Sequence, residues 1–237
     1  MQPTDRVVVL RVVGAKYCVV QRLPCSAAHF SERGVYLVWI PQGTIYVWHG
    51  AHANAIERVK ALELAAAIKD REMGARASIT RLESGDEPEG MWDALGGPVA
   101  KEMRKHEYPP AAEEEKAFYA SMRFIVFSKM GRQDVADRPL RRILLRSECV
   151  VIVLAADDPA RRAWMWMGKE TSSDVTRAAL SECVRMVGGR EELVDKVMES
   201  WEPSIFRAIF VDWLTPCGTS AGPQTIVTVN ASAALLA

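Results

Sequence analysis

Four histidines are the side chains of this sequence best suited to act as bases or metal ligands. They are His29, His49, His52 and His106, and none stands in an H-E-x-x-H motif or beside a candidate nucleophile. His49 and His52 are close enough in sequence to share a metal ion, but both lie near a predicted turn, so we expect two solvated histidines. The sequence also contains no P-loop-type glycine motif. We therefore predict no catalytic site and a protein that is not an enzyme.

The cysteines and the charge balance argue against disulfide-linked proteins and nucleic-acid-binding proteins. The five cysteines are odd in number and form no C-x-x-C pair, which is typical of reduced thiols: Cys18, Cys25, Cys149, Cys183 and Cys217. Thirty basic and thirty acidic residues leave no net charge, which argues against nucleic-acid binding. Residues 1–5 do not resemble a secretory signal, and no apolar run approaches the ~20 residues of a membrane span. We expect a cytoplasmic protein that is not transmembrane.

The stretch from Gly34 to Ile79 predicts strand, strand, long helix and strand. Val35 to Ile40 is an apolar run, Pro41-Gln42-Gly43 provides a turn, and Thr44 to Trp48 completes a hairpin. Asn54 followed by Glu57 has the pattern of a capping box, so we expect a helix from there to about Arg71. Its apolar residues at helical spacing are expected to pack on the hairpin: Ala55, Val59, Leu62 and Ala66.

The same pattern occurs a second time in the chain. Trp48-His49-Gly50 recurs as Trp166-Met167-Gly168, 118 residues later, and Glu87-Pro88 recurs as Glu202-Pro203, 115 residues later. A nearly constant offset with conserved order indicates a duplicated domain. A second long helix is expected from Ser172 or Ser173 to Val187.

These residues resemble a repeat of the gelsolin, villin and severin superfamily. The resemblance rests on Trp48-His49-Gly50 and on three further segments: Glu57-Arg58-Val59-Lys60-Ala61, Gly74-Ala75-Arg76-Ala77, and Gly85 to Met91. The first copy resembles the second gelsolin repeat. The second copy, from Glu148 through Trp166 to Phe206, Phe210 and Trp213, resembles the third.

The resemblance implies an α+β fold of two gelsolin-like (ADF-homology-like) domains, each a central mixed β-sheet flanked by a long and a short helix. We predict the first repeat at residues 1–98, a linker at 99–117, the second repeat at 118–217 and a C-terminal tail at 218–237. Five tryptophans are expected in the cores, at Trp39, Trp48, Trp166, Trp201 and Trp213. Trp92 and Trp164 are expected as surface anchors.

The resemblance also implies calcium as the ligand to test. Family members take a carbonyl and a carboxylate from a Gly-Asp pair opening the central strand, and a glutamate seven residues past the glycine of Trp-x-Gly. The first repeat keeps Gly34 and Glu57, but Val35 replaces the aspartate, and we expect Glu57 to cap the helix with Asn54 rather than to bind calcium. The second repeat keeps Ser147 and Glu148 at the strand, with Asp174 one place away from the helix position. We expect weak or absent calcium binding and no other cofactor.

Actin is the partner that the resemblance implies, bound through the long helix. The matching basic residues are Arg58, Lys60, Lys69, Arg71 and Arg76. Arg58 and Lys69 share a helix face, whereas Lys60 lies about 200° from Arg58. Replacing both Arg58 and Lys69 by glutamate is expected to weaken actin binding. An ordinary solvated helix face is the alternative explanation for these charges.

We therefore expect an actin-binding protein of the cytoplasm and cytoskeleton that binds along filament sides, with monomer binding or capping as a variant and little calcium gating. Phosphoinositide binding is not expected, because the start of the first repeat offers only Lys16. The alternative is a gelsolin fold reused as a structural subunit, bound to other proteins of a cytoskeletal, ciliary or coat assembly.

Overall fold

The computed structural model describes residues 7–40, 43–74, 76–97, 108–155, 162–213 and 227–228. The chain divides into two compact units, the first formed by Met1–Glu115 with Pro216–Ala237 and the second by Lys116–Thr215. The domain limits predicted from the sequence stay predictions. No helix among the described residues is long and apolar enough to cross a bilayer.

The first unit is built on a sheet whose strands are β1 (Val8–Val13), β2 (Val19–Leu23), β3 (Val35–Ile40), β4 (Thr44–His49) and β5 (Ser78–Glu83). Their order in the sheet is β5-β4-β3-β1-β2, and all neighbours are antiparallel except β4 and β5. The predicted hairpin is confirmed by the pairing of Ile40 with Thr44, although Pro41 and Gln42 of its turn lie outside the described residues.

Two helices cover the faces of this sheet. The long helix α1 (Ala55–Glu72) connects the parallel strands β4 and β5, which need a crossover because a tight turn cannot join them. The predicted capping box is confirmed, since the Asn54 side chain accepts from the Glu57 N–H while the Glu57 side chain accepts from the Asn54 N–H. The short helix α2 (Glu89–Ala94) follows β5.

The second unit repeats this order. After α3 (Ala111–Ser121), which contains the boundary between the units, come β6 (Met122–Ser128), β7 (Gly131–Asp134), β8 (Val150–Ala155), β9 (Ala163–Met167), α4 (Ser173–Met186), β10 (Val194–Met198) and α5 (Ser204–Arg207). The sheet order β10-β9-β8-β6-β7, with only β9 and β10 parallel, matches that of the first unit element by element. A two-residue strand, β11 (Val227–Thr228), pairs in parallel with β5 in the first unit. The predicted duplication and the α+β class are confirmed.

Aromatic and aliphatic side chains bury both faces of each sheet. In the first unit Phe30, Tyr36, Trp48 and Trp92 pack together on one face with Met91 of α2. In the second unit Trp166, Phe206 and Phe210 form the equivalent cluster. The surface role expected for Trp92 is wrong, because only 9% of it is exposed. The core role expected for Trp201 is also wrong, because this residue follows the end of β10 and is 83% exposed.

The long helix α1 does not bury the apolar stripe expected from the sequence. Its buried residues are Glu57, Ala61, Leu64, Ala65 and Ile68, whereas 57% of Val59 is exposed. Val59 lies about 200° around the helix from Glu57, so both stripes have helical spacing but face opposite directions. The helix turns the Leu64 side towards β3 and β4. The sequence pattern does not indicate the buried stripe because it includes Glu57, and a glutamate is rarely fully buried.

Replacing Leu64 by alanine is expected to lower the free energy of unfolding by about 3 kcal/mol, since a fully buried leucine leaves a cavity. The exposed control Val59→Ala should change it by less than about 0.5 kcal/mol. Urea unfolding followed by circular dichroism measures both values. Equal losses in the two variants would show that Val59 is as deeply packed as Leu64.

Candidate functional site

The face of α1 that points away from its sheet carries apolar side chains. We call this surface the outer stripe and define it as Ala55, Ile56, Val59, Leu62 and Ala66. Ile56 is 48% exposed and Val59 57% exposed, while Leu62 and Ala66 are half-buried. Covering aliphatic side chains that are exposed to water on a helix lowers the free energy of the complex with a partner. The outer stripe is therefore the best candidate for a protein contact in the first unit.

The predicted basic residues flank the outer stripe on both sides. Arg58 and Lys69 lie about 100° to one side of Val59, and Lys60 and Arg71 lie about as far to the other. Arg76 is exposed beyond the end of the helix. Among the described residues, Lys60, Lys69, Arg71 and Arg76 form no ion pair. They are therefore available to a partner that carries negative charge near an apolar groove.

The long helix of the second unit lacks such a stripe. The exposed residues of α4 are mainly polar or small, and Ala179 and Cys183 are its fully buried residues. Asp174 and Arg177 are both largely exposed and form an ion pair of 3.4 Å with each other. A solvated surface of this kind gives no reason to expect a contact.

Arg58 differs from the other predicted basic residues because it is held within its own unit. Its guanidinium donates to both carboxylate oxygens of Glu83, at 3.1 and 2.8 Å, and to the carbonyl oxygens of Gly50 and Ala53. Arg81 also pairs with Glu83, at 2.8 Å. These bonds tie the first turn of α1 to the end of β5. A substitution of Arg58 would therefore disturb the unit itself as well as any partner contact.

His49 belongs to the same cluster. Its Nδ1 lies 3.2 Å from Glu83 Oε1, and the ring is completely buried. The expectation of a solvated histidine at this position is thus wrong, because the last residue of β4 points into the space between sheet and helix. Burial lowers the pKa of His49, although its contact with Glu83 partly opposes that effect. His52 is exposed, as expected.

The residues assigned to calcium in the first repeat have other partners. Both oxygens of the buried Glu57 carboxylate accept backbone N–H groups, from Gly14 and from Asn54, each at 3.0 Å. The Gly34 carbonyl oxygen accepts from the Gly50 N–H. Burial raises the pKa of Glu57, and the two N–H donors partly offset this. A cavity of about 370 Å³ reaches Glu57, but Arg33 and His52 also line it. This donor set does not fit calcium, which prefers several converging oxygen atoms.

The residues assigned to calcium in the second repeat do not converge either. Ser147 donates its hydroxyl to Glu199, Glu148 forms an exposed ion pair with Arg146, and Asp174 is on the solvated face of α4. Within the described residues, no group of three or more His, Cys, Asp and Glu side chains is placed to hold a metal ion.

Each unit contains the same hydrogen bond from a buried tryptophan. Trp48 Nε1 donates to Glu87 at 2.7 Å, and Trp166 Nε1 donates to Glu202 at 3.0 Å. Gly50 and Gly168 each lie against backbone where a Cβ would collide, at Glu32 and at Ser147 respectively. The repeated sequence motifs therefore form the same local structure in both units.

Both units have a mixed sheet with the same strand order, a long crossover helix after the Trp-x-Gly motif and a short helix after the Glu-Pro motif. The chain is therefore a duplicated α+β domain. Residues 19–92 match the family model of the gelsolin repeat. Protein flightless-1 homolog from Mus musculus is 30% identical over 223 residues, covering 86% of this chain, and its Homo sapiens counterpart is 29% identical over the same length. The chain spans only 17% of these relatives. The first unit therefore contains a gelsolin repeat, and the second unit has the same order of strands.

The solved structures that the chain matches are less similar in sequence. A Thorarchaeota 2DGel3 in complex with rabbit actin is 20% identical, covers 86% of this chain and gives a TM-score of 0.32. A Thorarchaeota ProGel in complex with rabbit actin is 21% identical, covers 37% of this chain and gives a TM-score of 0.33. The matches cover 98% and 99% of those two chains.

Several residues of the site were missed in the sequence. The sequence pattern predicts that Ala55, Val59, Leu62 and Ala66 of the outer stripe are packed on the sheet, and the signal against this is that α1 carries apolar residues on two opposite faces. Glu83 and Arg11 were not singled out. Arg11 did leave a signal, since it is the one charged residue in the apolar strand Val8–Val13.

The Glu83 cluster predicts a pH dependence of stability. Burial alone would raise the pKa of Glu83, but hydrogen bonds from Arg81, Arg58 and His49 lower it to about 2. Because the folded value lies below the ordinary one, the stabilisation is complete above about pH 5 and is lost as the pH falls towards 2. The melting temperature of Glu83→Gln should be lower than that of wild type at pH 7, and the gap should close in acid.

The matched control is Asp70→Asn, which removes an exposed carboxylate from the same unit. Its melting temperature should follow wild type at every pH. A gap between Glu83→Gln and wild type that stays constant down to pH 3 would contradict the role assigned to the ionised carboxylate. Thermal scans by circular dichroism at four pH values are sufficient.

Proposed function

We propose that this chain is an actin-binding protein whose main contact is the outer stripe of α1. The gelsolin repeat in the first unit supports actin as the partner. The single observation that carries the proposal is the exposure of Ile56 and Val59 on a well-formed long helix. An amphipathic helix that lays aliphatic side chains into a groove is a common mode of protein recognition.

The basic residues beside the stripe suit this partner as well. Lys60, Lys69 and Arg71 would lie at the rim of the contact, facing acidic residues of the partner. Rim charges mainly accelerate association and fix orientation, whereas the buried apolar centre supplies most of the affinity. Arg58 would act indirectly, by fixing the first turn of the helix through Glu83.

We further propose that binding occurs along filament sides and needs no calcium. The carboxylate of Glu57 caps α1 through two backbone N–H groups, so the helix is held in place by the chain itself. A helix that is ordered without metal can present its outer stripe at any calcium concentration. Monomer binding or capping stays a variant of the same proposal, and the place of action would be the cytoskeleton.

A second candidate function is a structural subunit of a larger cytoskeletal, ciliary or coat assembly. The observation that favours it is the exposure of large apolar residues on the second unit, above all Trp201. An isolated aromatic side chain of this size in solvent is a frequent anchor of protein interfaces. This function would make Trp201, and not Val59, the residue on which association depends.

Replacing Val59 by glutamate is expected to weaken co-sedimentation with actin filaments at least about tenfold, because a charge would enter the apolar centre of the contact. The melting temperature should hardly change, since Val59 is largely exposed. The matched control is Ala178→Glu on the exposed face of α4. Wild-type affinity for actin in Val59→Glu would contradict the outer stripe as the contact, and a wild-type protein that does not co-sediment with actin filaments would favour the structural-subunit function.

The double variant Lys69→Glu, Arg71→Glu tests the rim. We expect slower association, and a weaker dependence of the association rate on salt than in wild type, because the variant carries less attraction to screen. Stopped-flow fluorescence with labelled actin at two ionic strengths measures this. Association rates equal to wild type at low salt would exclude these charges from the contact.

A further inference from the structure

Arg11 is a buried charge in the middle of β1. The strand Val8–Val13 is otherwise aliphatic, and only 1% of Arg11 is exposed. Moving a charged group out of water costs several kcal/mol unless opposite charge and hydrogen bonds compensate it. A lone arginine at such a position therefore needs specific partners.

The partners come from residues 108–115. Arg11 Nη1 and Nη2 donate to the two carboxylate oxygens of Glu114, at 2.9 and 2.7 Å. The guanidinium carbon lies 3.7 Å from the centre of the Tyr108 ring, which is a cation–π contact. Burial by itself would lower the pKa of Arg11, but Glu114 and the neighbouring tyrosines raise it overall, so the charge is retained.

The guanidinium also lies beside the residues that the resemblance assigns to calcium. A Cβ added to Gly34 would be 3.1 Å from Arg11 Nε, so the side chain passes directly over the Gly34 backbone. Glu57 lies at the end of the same strand, because its carboxylate accepts the Gly14 N–H at 3.0 Å. Arg11 is thus a buried cation beside Gly34, on the strand whose end is bound by Glu57.

Carboxylates converge on the turn between β1 and β2. The Gly14 N–H donates to Glu57, and the three following N–H groups donate to Glu115 at 2.7, 2.9 and 3.0 Å. Glu115 is 9% exposed and Glu57 1% exposed. Together with Glu114, three acidic side chains therefore lie near this end of β1. Arg11 carries a compensating positive charge.

We propose that Arg11 is a built-in cation that takes the place of a bound calcium ion in the first unit. It neutralises Glu114, lies beside Gly34 and fastens residues 108–115 to the sheet without metal. This role does not depend on whether the outer stripe binds actin.

The test compares Arg11→Ala with Arg11→Lys in the full chain, in about 1 mM calcium and in chelator. Removing the guanidinium leaves space and uncompensated carboxylates, so Arg11→Ala is expected to melt about 10 °C lower than wild type in chelator. Calcium should restore at least about half of this loss. Calcium should not change the melting temperature of wild type, of Arg11→Lys or of the control Glu113→Gln.

Hydrogen exchange gives a local readout of the same test. The amides of Ala15, Lys16 and Tyr17 should be protected in wild type and should lose protection at least about tenfold in Arg11→Ala in chelator, with recovery in calcium. If Arg11→Ala does not fold, Arg11→Lys decides, because lysine keeps the charge but cannot span both Glu114 oxygens. It should lose part of the protection without responding to calcium.

Two results would overturn the proposal. One is a folded Arg11→Ala variant that responds to calcium no more than wild type. The other is a calcium-dependent rise in the melting temperature of wild type or Arg11→Lys that Glu57→Gln abolishes, since calcium would then bind with the cationic side chain still in place.

Discussion

A hydrogen bond from a buried indole to a glutamate carboxylate holds each unit together at the end of its central hairpin. Trp48 and Trp166 are almost completely buried, and an indole N–H without an acceptor would be costly there. Glu87 and Glu202 supply the acceptor, and each also accepts the N–H of a residue two positions earlier, at Gly85 and at Ser200. The carboxylate thereby fixes the turn that leads into the short helix. In each unit the buried indole, the turn and the start of the short helix are therefore connected through one glutamate carboxylate.

Backbone geometry at that turn shows how closely the two units agree. Gly85 has a φ of 103°, and Ser200 at the matching position has a φ of 75°, in a region where residues other than glycine are rare. The serine is retained in this conformation because its N–H is needed by Glu202. The same constraint leaves the next residue, Trp201, directed into solvent.

Buried charges fix the local structure of the first unit at the end of β1. Arg11, Glu57 and Glu115 are each nearly inaccessible, and each has partners from the chain itself. Such pairs do not add much stability over apolar residues, but removing one member leaves the other unpaired. They therefore specify one arrangement of the β1–β2 turn and of residues 108–115. The carboxylate of Glu57, which accepts the Gly14 N–H at this turn, also caps α1.

The sequence by itself determined the order of elements, the duplication and the capping box, because turn residues, strand composition and the Asn54–Glu57 spacing act over a few residues. It did not determine which face of α1 is buried, since apolar residues recur on two opposite faces and only the packed sheet selects the Leu64 side. Nor did it predict the partners of Arg58 or Arg11, because Glu83 and Glu114 are 25 and 103 residues away in the chain. The tertiary structure decided these points, since long-range contacts depend on where strands pair and helices pack, which local propensities do not encode.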